Sequence, residues 1–355
     1  MQAVDKIYCS LFGIFNPYKT FPYKLSNDIP KFDKPAYKRN PRHQFVYDKL
    51  FVADSQGMKC GRLEDLKDPA YPIFIKPRYG HLSASSKNCY KITEAGELDR
   101  HRSKKDMMWS EFVNATEGMT DFMLVDGEIV HQITYVYSEK QNGFSDDWKY
   151  ISPLSKPPPE VVEWVQKYMA GYSGPVNVQY RSTKIIEVGL RFARSGMYIE
   201  STHNQHLIEC LNETWATKTW SQRDPSKLEF TPFYSFKCWS PIPVLYILPQ
   251  HVIDLIMRQS KSMPFYEYYF EPTGTRSLIF FQFLNADFKR GMRAKKLLEN
   301  IMLGMNCLFV LLILAMIVRP NFYLGVVILI LVASNLLNSL DVILHQFKNQ
   351  LQFIG

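Results

Sequence analysis

Two long uncharged runs near the C-terminus limit the possible folds most, because neither run can lie in water without a large cost. The first run, IMLGMNCLFVLLILAMIV, covers Ile301–Val318, and the second, FYLGVVILILVASNLLNSL, covers Phe322–Leu340. As a helix the first run is roughly 27 Å long, close to the thickness of a bilayer core. A buried helical pair in a soluble core is the alternative, but such helices usually carry a polar stripe. We therefore predict a transmembrane helical hairpin within residues 297–345.

Basic residues before the first run set the expected orientation of this hairpin. The sequence KRGMRAKK closes a connecting segment over 246–296 and contains five cations, whereas the short loop after the first run contains one, Arg319. Cytoplasmic flanks carry the excess of Lys and Arg, so we expect both ends on the cytoplasmic side of a lipid bilayer. The basic cluster is explained equally well as a topology signal alone or as a contact with anionic headgroups.

The overall charge does not by itself identify a partner. A net charge of +8 suits nucleic acid, anionic lipid or a phosphate-bearing ligand. The stretch Phe265–Arg276 combines several aromatic residues with one basic residue, Arg276, but it also contains Glu267 and Glu271. The two carboxylates favour packing or protein contact over the stacking of nucleic-acid bases. Nucleic acid is therefore the least supported partner.

The region over 45–245 shows a mixed α+β pattern. Tyr71–Pro77 resembles a strand that ends at a proline, and Thr120–Tyr137 contains Asp-Gly between alternating apolar residues, which predicts a β-hairpin. Pro157–Tyr172 predicts a helix that begins at proline and ends near glycine. Asn177–Phe192 predicts a second hairpin. The pattern indicates antiparallel sheets rather than a regular βαβ repeat.

Polar side chains are expected on one face of the second hairpin. A three-residue turn over Ser182–Lys184 would place Gln179 opposite Glu187, with Arg191 on the same face. Oxygen ligands from neighbouring strands suit Mg²⁺, which completes its shell with phosphate and water. The polar outer face of a sheet is the alternative explanation.

Four segments together resemble the ATP-grasp superfamily in order and approximate spacing. They are VYDKLFVADSQGMKC, YPIFIKPRYGHLSAS, MWSEFVNATEGMTDFMLVDGEIV and NVQYRSTKIIEVGLRFARSG. The resemblance implies a two-lobed α+β domain with antiparallel sheets over about two hundred residues, followed here by the membrane hairpin. It also implies that the domain binds ATP and magnesium, and that it activates a carboxylate as an acyl phosphate for attack by an amine or similar nucleophile.

The resemblance carries cofactor roles to five positions. Lys49 and Lys76 would contact the ATP phosphates, Glu111 and Val113 would lie at the adenine hinge, and Glu117 would lie near the ribose. The loop after Lys76 is poor in glycine, which weakens the expected phosphate cradle.

The same resemblance implies metal and catalytic roles on the second hairpin. Gln179 and Glu187 would hold Mg²⁺ against the phosphates, and Arg191 would steady the transferring phosphoryl group. The family pattern is commonly Glu-x-Asn followed by Arg, and Gly189 stands where that asparagine is expected.

Residues 1–44 are rich in Pro, Tyr and Lys and are expected to form an extended arm that contacts neighbouring proteins. This arm is too short to replace the domain that usually precedes an ATP-grasp domain and helps to build its acceptor site. Two functions therefore stay open beside the least supported one, a basic nucleic-acid-binding membrane protein: the first is a membrane-anchored carboxylate ligase dependent on Mg²⁺ and ATP, active or degenerate, and the second is a non-catalytic structural protein. The second resembles a minor capsid protein that links a virion shell to an internal membrane.

Overall fold

The computed structural model describes residues 21–82, 88–139, 141–142, 145–220, 224–240, 248, 250–265, 278–320 and 323–330. The strands are β1 Cys60–Arg62, β2 Ile73–Pro77, β3 Tyr90–Ile92, β4 Met107–Glu111, β5 Glu117–Val125, β6 Glu128–Tyr137, β7 Gln141–Asn142, β8 Ser145–Asp146, β9 Trp148–Ser152, β10 Gly174–Arg181, β11 Lys184–Gly189, β12 Phe233–Ser240, β13 Met263–Phe265 and β14 Leu278–Asn285. The α-helices are α1 Asp33–Arg39, α2 Lys49–Asp54, α3 Ala95–Asp99, α4 Pro159–Tyr168, α5 Met197–Glu200, α6 Gln205–Thr217, α7 Gln250–Ser260 and α8 Phe288–Val318.

The chain divides into two compact units. The first unit comprises Phe21–Glu139 and Ile151–Thr231, and the described part of the second unit comes from Lys140–Tyr150 and from residues after Thr231. In the first unit β1-β4-β2-β3 form one sheet, and β11-β10-β5-β6 lie side by side in another. These neighbours pair antiparallel, which confirms the α+β architecture predicted from the sequence.

The Asp126-Gly127 pair forms the tight turn between β5 and β6 that the sequence predicts. Val125 pairs with Glu128, and both turn residues have positive φ, 51° for Asp126 and 87° for Gly127. Two left-handed residues are the requirement of a type I′ turn, whose twist matches that of the flanking strands. The Gly127 N–H also donates to the Tyr172 carbonyl, which ties the turn to the segment after α4.

The N-terminal segment that we expected to be extended contains α1, with a 3₁₀ helix directly after it over Pro41–Tyr47. Ala36 of α1 is completely buried and joins a core that includes Val46, Trp164 and Val188. Tyr37 stacks on His81 with 3.7 Å between the ring centres. From Phe21 onward, where the described residues begin, this segment is part of the first unit, and Ala36 is its buried contact with the core.

In the second unit, β12, β14 and β13 pair antiparallel in that order, and α8 packs against them. The inward face of α8 buries Ala294, Leu298 and Met302, among others. Lys295 of the predicted basic cluster is also buried and pairs with Glu299, so it is not available for lipid headgroups.

One helix among the described residues, α8, is long and apolar enough to cross a membrane. Its most apolar 18-residue window has a mean hydropathy of 2.8 and is only 17% buried. Residues 323–330 of the second predicted span are helical, and the rest of that span lies outside the described residues. The predicted two-helix hairpin therefore stays a prediction.

Replacement of Gly127 by alanine should destabilise the first unit strongly. A Cβ at this position would lie 2.9 Å from the Ala170 Cα, and the backbone is left-handed. We expect a loss of at least about 2 kcal/mol in the free energy of unfolding, measured by denaturant titration. Gly57→Ala is the matched control, since Gly57 has φ +68° but nothing within 4 Å of its Cβ position. Equal losses in the two variants would contradict the role of the close contact.

Candidate functional site

The register of β10 and β11 places Gln179 directly opposite Glu187, as predicted. The turn itself differs from the prediction: it has two residues, because Lys184 already belongs to β11. A β-bulge at Gln179/Tyr180 compensates, since the pairing steps from Tyr180–Ile185 to Gln179–Glu187 and skips Ile186. The shorter turn and the extra residue therefore give the predicted register by a different route.

The skipped residue, Ile186, contributes a backbone contact to the site. A bulged residue is left out of the regular ladder, so its backbone groups are available for other contacts. The Ile186 carbonyl accepts a hydrogen bond from the Lys76 ammonium at 2.6 Å. Lys76 of β2 is thereby held beside β11, on the strand that carries Glu187.

Lys49 reaches the same place from the start of α2. Its backbone N–H donates to the Arg78 carbonyl, one residue beyond β2. Asp48 caps α2 by accepting from the Leu50 N–H, and it also accepts two hydrogen bonds from the Arg78 guanidinium. These contacts fix Lys49 close to Lys76, and the Lys49 ammonium lies 3.2 Å from a Glu187 carboxylate oxygen. Lys49, Lys76 and Glu187 are called the lysine–glutamate cluster below.

The charges of this cluster depend on one another. Burial lowers the pKa of Lys76 to about 8, with the nearby charge of Lys49 as the second cause. Partial burial raises the pKa of Glu187, but Lys49 and Lys76 outweigh this effect, so its pKa lies below its usual value. The Glu187 side chain keeps 33% of its surface exposed, whereas Lys49 and Lys76 are almost fully buried. The carboxylate is thus the most exposed member of the cluster.

Arg191 lies two residues beyond β11 and pairs with a residue that sequence reasoning missed. Its guanidinium donates to an Asp33 carboxylate oxygen at 2.7 Å. The other oxygen, Oδ1, lies 2.8 Å from the position that a Cβ on Gly189 would occupy. The absence of a side chain at Gly189 is therefore what lets α1 bring Asp33 to this face of the sheet.

A buried hydrogen-bond network around Asp121 connects β5 with β10 and with the loop that follows β11. Asp121 of β5 accepts from the Asn177 amide at 2.9 Å, from the Ala193 N–H at 2.8 Å and from the Tyr135 hydroxyl at 2.7 Å. Asn177 stands opposite Gly189 in the register, and Ala193 follows Arg191 by two residues. Asp121 thus fixes the loop that carries Arg191. A charged residue in the interior of a mostly apolar strand was the available sequence signal.

The remaining predicted residues lie at the ends of β4 and β5. Glu117 begins β5 and forms an ion pair with Arg181 at 3.1 Å. Its charge also raises the pKa of Lys76, although less than Glu187 does. Glu111 ends β4 and accepts from the Lys59 N–H, and the Val113 carbonyl accepts from the Ala115 N–H. The structure therefore brings Lys49, Lys76 and Glu187 together, whereas Glu111 is the last residue of β4 and Val113 lies in the β4–β5 connection.

The donor set suits a hard cation bound together with an anionic ligand. Among the described residues no group of three or more His, Cys, Asp or Glu side chains forms a complete metal cage. Mg²⁺ does not need one, because it binds one or two carboxylates and completes its shell with phosphate and water. Asp33 Oδ1 is buried and has no hydrogen-bond partner among the described residues. The residues therefore fit a magnesium-bound polyphosphate, with two lysines for its charge.

Replacement of Asp121 by asparagine should change how stability depends on pH. Burial raises the pKa of Asp121 from 3.8 to about 6, so the folded state keeps this proton over a range in which the unfolded chain releases it. The contribution of Asp121 to the free energy of unfolding thus falls by roughly 3 kcal/mol as the pH rises from about 4 to about 6. Above about pH 6 this contribution stays constant. The free energy of unfolding of Asp121→Asn relative to wild type should rise by that amount between pH 4 and 7.

The measurement is denaturant unfolding followed by tryptophan fluorescence across this pH range. Glu128→Gln is the control, because Glu128 is an exposed residue of β6. Parallel pH profiles for wild type and Asp121→Asn would contradict the assignment.

No known protein family model matches the chain, and no curated protein matches it in sequence. Solved structures do resemble it. The L-amino acid ligase from Bacillus licheniformis has a TM-score of 0.50 and 13% identity, and the match covers 75% of this chain and 72% of that one. The carboxyaminoimidazole ribonucleotide synthase from Aspergillus clavatus, solved with ATP, has a TM-score of 0.50 and 9% identity, and the match covers 76% of this chain and 79% of that one.

At these identities the likeness shows the fold alone. The chain therefore shares its overall fold with these two proteins.

Proposed function

We propose that the protein is a membrane-anchored, ATP-grasp carboxylate ligase that uses ATP and Mg²⁺. The observation that carries this proposal is the lysine–glutamate cluster, in which residues from α2, β2 and β11 meet within hydrogen-bond or ion-pair distance. A chance arrangement of surface charges would not bury two lysines beside one carboxylate, because an unbalanced buried charge is costly. The likeness in fold to an L-amino acid ligase and to a carboxyaminoimidazole ribonucleotide synthase solved with ATP, together with the four sequence segments that resemble the ATP-grasp superfamily, supports the same function.

Each member of the cluster has a role in this proposal. Lys49 and Lys76 bind the phosphates as compact point charges. Glu187 and Gln179 hold the magnesium ion, and Arg191 lies where it can orient a negatively charged group at the end of β11. Bound ATP would supply the phosphoryl group that activates a carboxylate substrate. The protein contributes mainly position and charge, as is usual in phosphoryl transfer.

The adenosine end of the nucleotide is proposed to lie along the β4–β5 connection. Glu111 ends β4 and Val113 follows it by two residues, where backbone groups could contact the adenine ring, and Glu117 begins the next strand. The ion pair of Glu117 with Arg181 fixes that carboxylate near the strand end, which suits a contact with ribose hydroxyls.

A second function is favoured by one specific feature, the pairing of Arg191 with Asp33. An arginine that is already neutralised by its own chain is less available to a substrate. A protein that keeps the fold without the reaction could serve as a structural component, and we retain the proposal of a minor capsid protein that contacts protein neighbours through its N-terminal segment. Nucleotide binding separates the two functions.

The bilayer is the proposed partner of α8. The exposed leucine, isoleucine and valine side chains near the end of α8 lack a protein cover among the described residues: Leu308, Leu311, Leu314, Ile317 and Val318. Apolar surface of this kind is stabilised in lipid. The proposed topology is multi-pass, with both termini on the cytoplasmic side or the corresponding face of a virion inner membrane.

Lys76→Met should weaken the binding of ATP by about tenfold to a hundredfold, because a charged contact to phosphate is lost from a buried position. The measurement is isothermal titration of the full-length protein in detergent micelles with ATP and MgCl₂. Lys67→Met is the control, since Lys67 is exposed. Wild-type protein that gives no heat at millimolar ATP would rule out the ligase and favour the structural function.

Leu311→Asp should reduce membrane integration, because a carboxylate near the middle of a span costs about 2.5 to 3.5 kcal/mol. The measurement is the fraction of protein that remains with liposomes after alkaline extraction. Leu154→Asp is the control, since Leu154 is 68% exposed and Leu311 is 61% exposed, but Leu154 lies in the first unit. Full retention of the Leu311 variant would contradict the membrane role of α8.

A further inference from the structure

Arg191 is the cation of the candidate site whose counter-charge comes from outside the two sheets. In the lysine–glutamate cluster the carboxylate belongs to Glu187 of β11. Arg191 pairs instead with Asp33, the first residue of α1, at 2.7 Å. The charge of Arg191 is therefore balanced by the N-terminal segment rather than by a strand.

The pair between Arg191 and Asp33 uses one oxygen of the carboxylate. Arg191 Nη2 donates to Oδ2, and Nη1 donates to the Phe192 carbonyl at 3.2 Å. Oδ1 is buried and has no hydrogen-bond partner among the described residues. Arginine binds oxyanions most strongly through two parallel hydrogen bonds, so this pair is weaker than the bidentate contact that a phosphate makes. An external oxyanion can therefore compete with Asp33 for the guanidinium.

Gly189 provides the space that the Asp33 carboxylate occupies. Oδ1 lies 2.8 Å from the position of a Cβ at residue 189, closer than Cβ atoms come in folded proteins. Gly189 and Glu187 are alternate residues of β11, so they belong to one face of the strand. The carboxylate thus fills a gap beside Arg191, on the face that carries Glu187. When Asp33 moves away, this gap can hold another oxyanion.

The segment that leads to α1, residues 21–32, contains no helix or strand. Side chains from α6 and from the loop after β11 hold it: Asn212 accepts from the Ser26 N–H at 2.7 Å, and the Ser195 hydroxyl donates to the Lys31 carbonyl at 2.8 Å. Segments without a backbone ladder of their own open locally at a lower free-energy cost than the strands they cover. The carboxylate of the ion pair therefore follows a segment of low local stability.

We propose that Asp33 is an autoinhibitory counter-ion: it neutralises Arg191, and the transferring phosphoryl group of the ligand must displace it to reach the guanidinium. The inference rests on the proposed function for the identity of that ligand. It adds regulation to that function, because a change that withdraws the start of α1 opens the anion site. Anion binding and withdrawal of Asp33 are thus coupled, and each favours the other.

A purely structural ion pair would behave differently. In that case Asp33 stabilises the contact between α1 and the end of β11, and its removal lowers the free energy of unfolding without any gain in anion affinity. An autoinhibitory Asp33 competes with the anion, so its removal raises the affinity. The two roles therefore differ in anion affinity, whatever the change in stability.

The experiment is a calorimetric titration of the full-length protein in detergent micelles with inorganic phosphate, at constant ionic strength and without nucleotide. Asp33→Asn keeps the shape of the side chain and removes its charge, so it should bind phosphate at least about tenfold more tightly than wild type. Asp28→Asn is the matched control, because it removes the same charge from an exposed residue five positions earlier. Its phosphate affinity should equal that of wild type.

The gain in affinity should depend on Arg191. The double variant Asp33→Asn, Arg191→Met should bind phosphate no more tightly than wild type, because the guanidinium is lost while Lys49 and Lys76 remain. Equal gains in the single and the double variant would place the phosphate at the two lysines and contradict the inference.

A second variant displaces Asp33 without changing any charge. In Gly189→Ala the new methyl carbon would lie 2.8 Å from Oδ1, so the carboxylate must move. Phosphate affinity should rise, although less than in Asp33→Asn, because the methyl group takes part of the gap. This variant carries the test if circular dichroism shows that Asp33→Asn does not fold. Gly96→Ala is its control, since nothing lies within 4 Å of that Cβ position, and its affinity should not change.

Three results would overturn the inference: no phosphate binding by a folded Asp33→Asn, binding equal to or weaker than that of wild type, or a gain that persists without Arg191. A separate titration with ATP and MgCl₂ tests the ligase. Tighter phosphate binding by Asp33→Asn without ATP binding would support the autoinhibitory contact and contradict the ligase. ATP binding with a phosphate affinity independent of Asp33 would do the reverse.

Discussion

The ion pair between Lys49 and Glu187 is the contact on which the candidate site depends. Lys49 begins α2, which is hydrogen-bonded to the residue after β2, and Glu187 lies on β11 in the other sheet of the first unit. The ion pair therefore joins the two sheets. Lys76 adds a hydrogen bond to the neighbouring carbonyl, so each sheet contributes charge to one place. Because both lysines are buried, the carboxylate is needed to balance them. A bound anion can take over that balance, which is a physical reason to expect a ligand there.

Much of the fold could be predicted from local patterns. The Asp126-Gly127 turn was recognisable because its residues tolerate the required backbone conformation, and α4 follows from its proline start and apolar spacing. The pairing of Gln179 with Glu187 was predicted correctly, although the predicted turn was one residue longer than the observed turn. The bulge restored the register, and bulges have no strong signature in a single sequence.

The contacts that sequence reasoning missed are long-range ones. Asp33 and Arg191 are 158 residues apart, and nothing in the composition of either segment indicates that they meet. The proline-rich stretch that contains Asp33 favoured an extended arm, but tertiary packing around Ala36 stabilises a helix instead. From the sequence, Gly189 indicated only that a ligand side chain is missing. The fold shows that Asp33 Oδ1 of α1 lies beside Gly189 of β11.

The link between α1 and β11 changes how the N-terminal segment is understood. From Asp33 onward it contacts the residues that follow β11, through the ion pair between Asp33 and Arg191. The most direct measurement is an experimental structure of the full-length protein with Mg²⁺ and a non-hydrolysable ATP analogue. We expect triphosphate density against Lys49 and Lys76, with the metal bound to the Glu187 carboxylate. Nucleotide density elsewhere, or a metal that does not contact Glu187, would contradict this expectation.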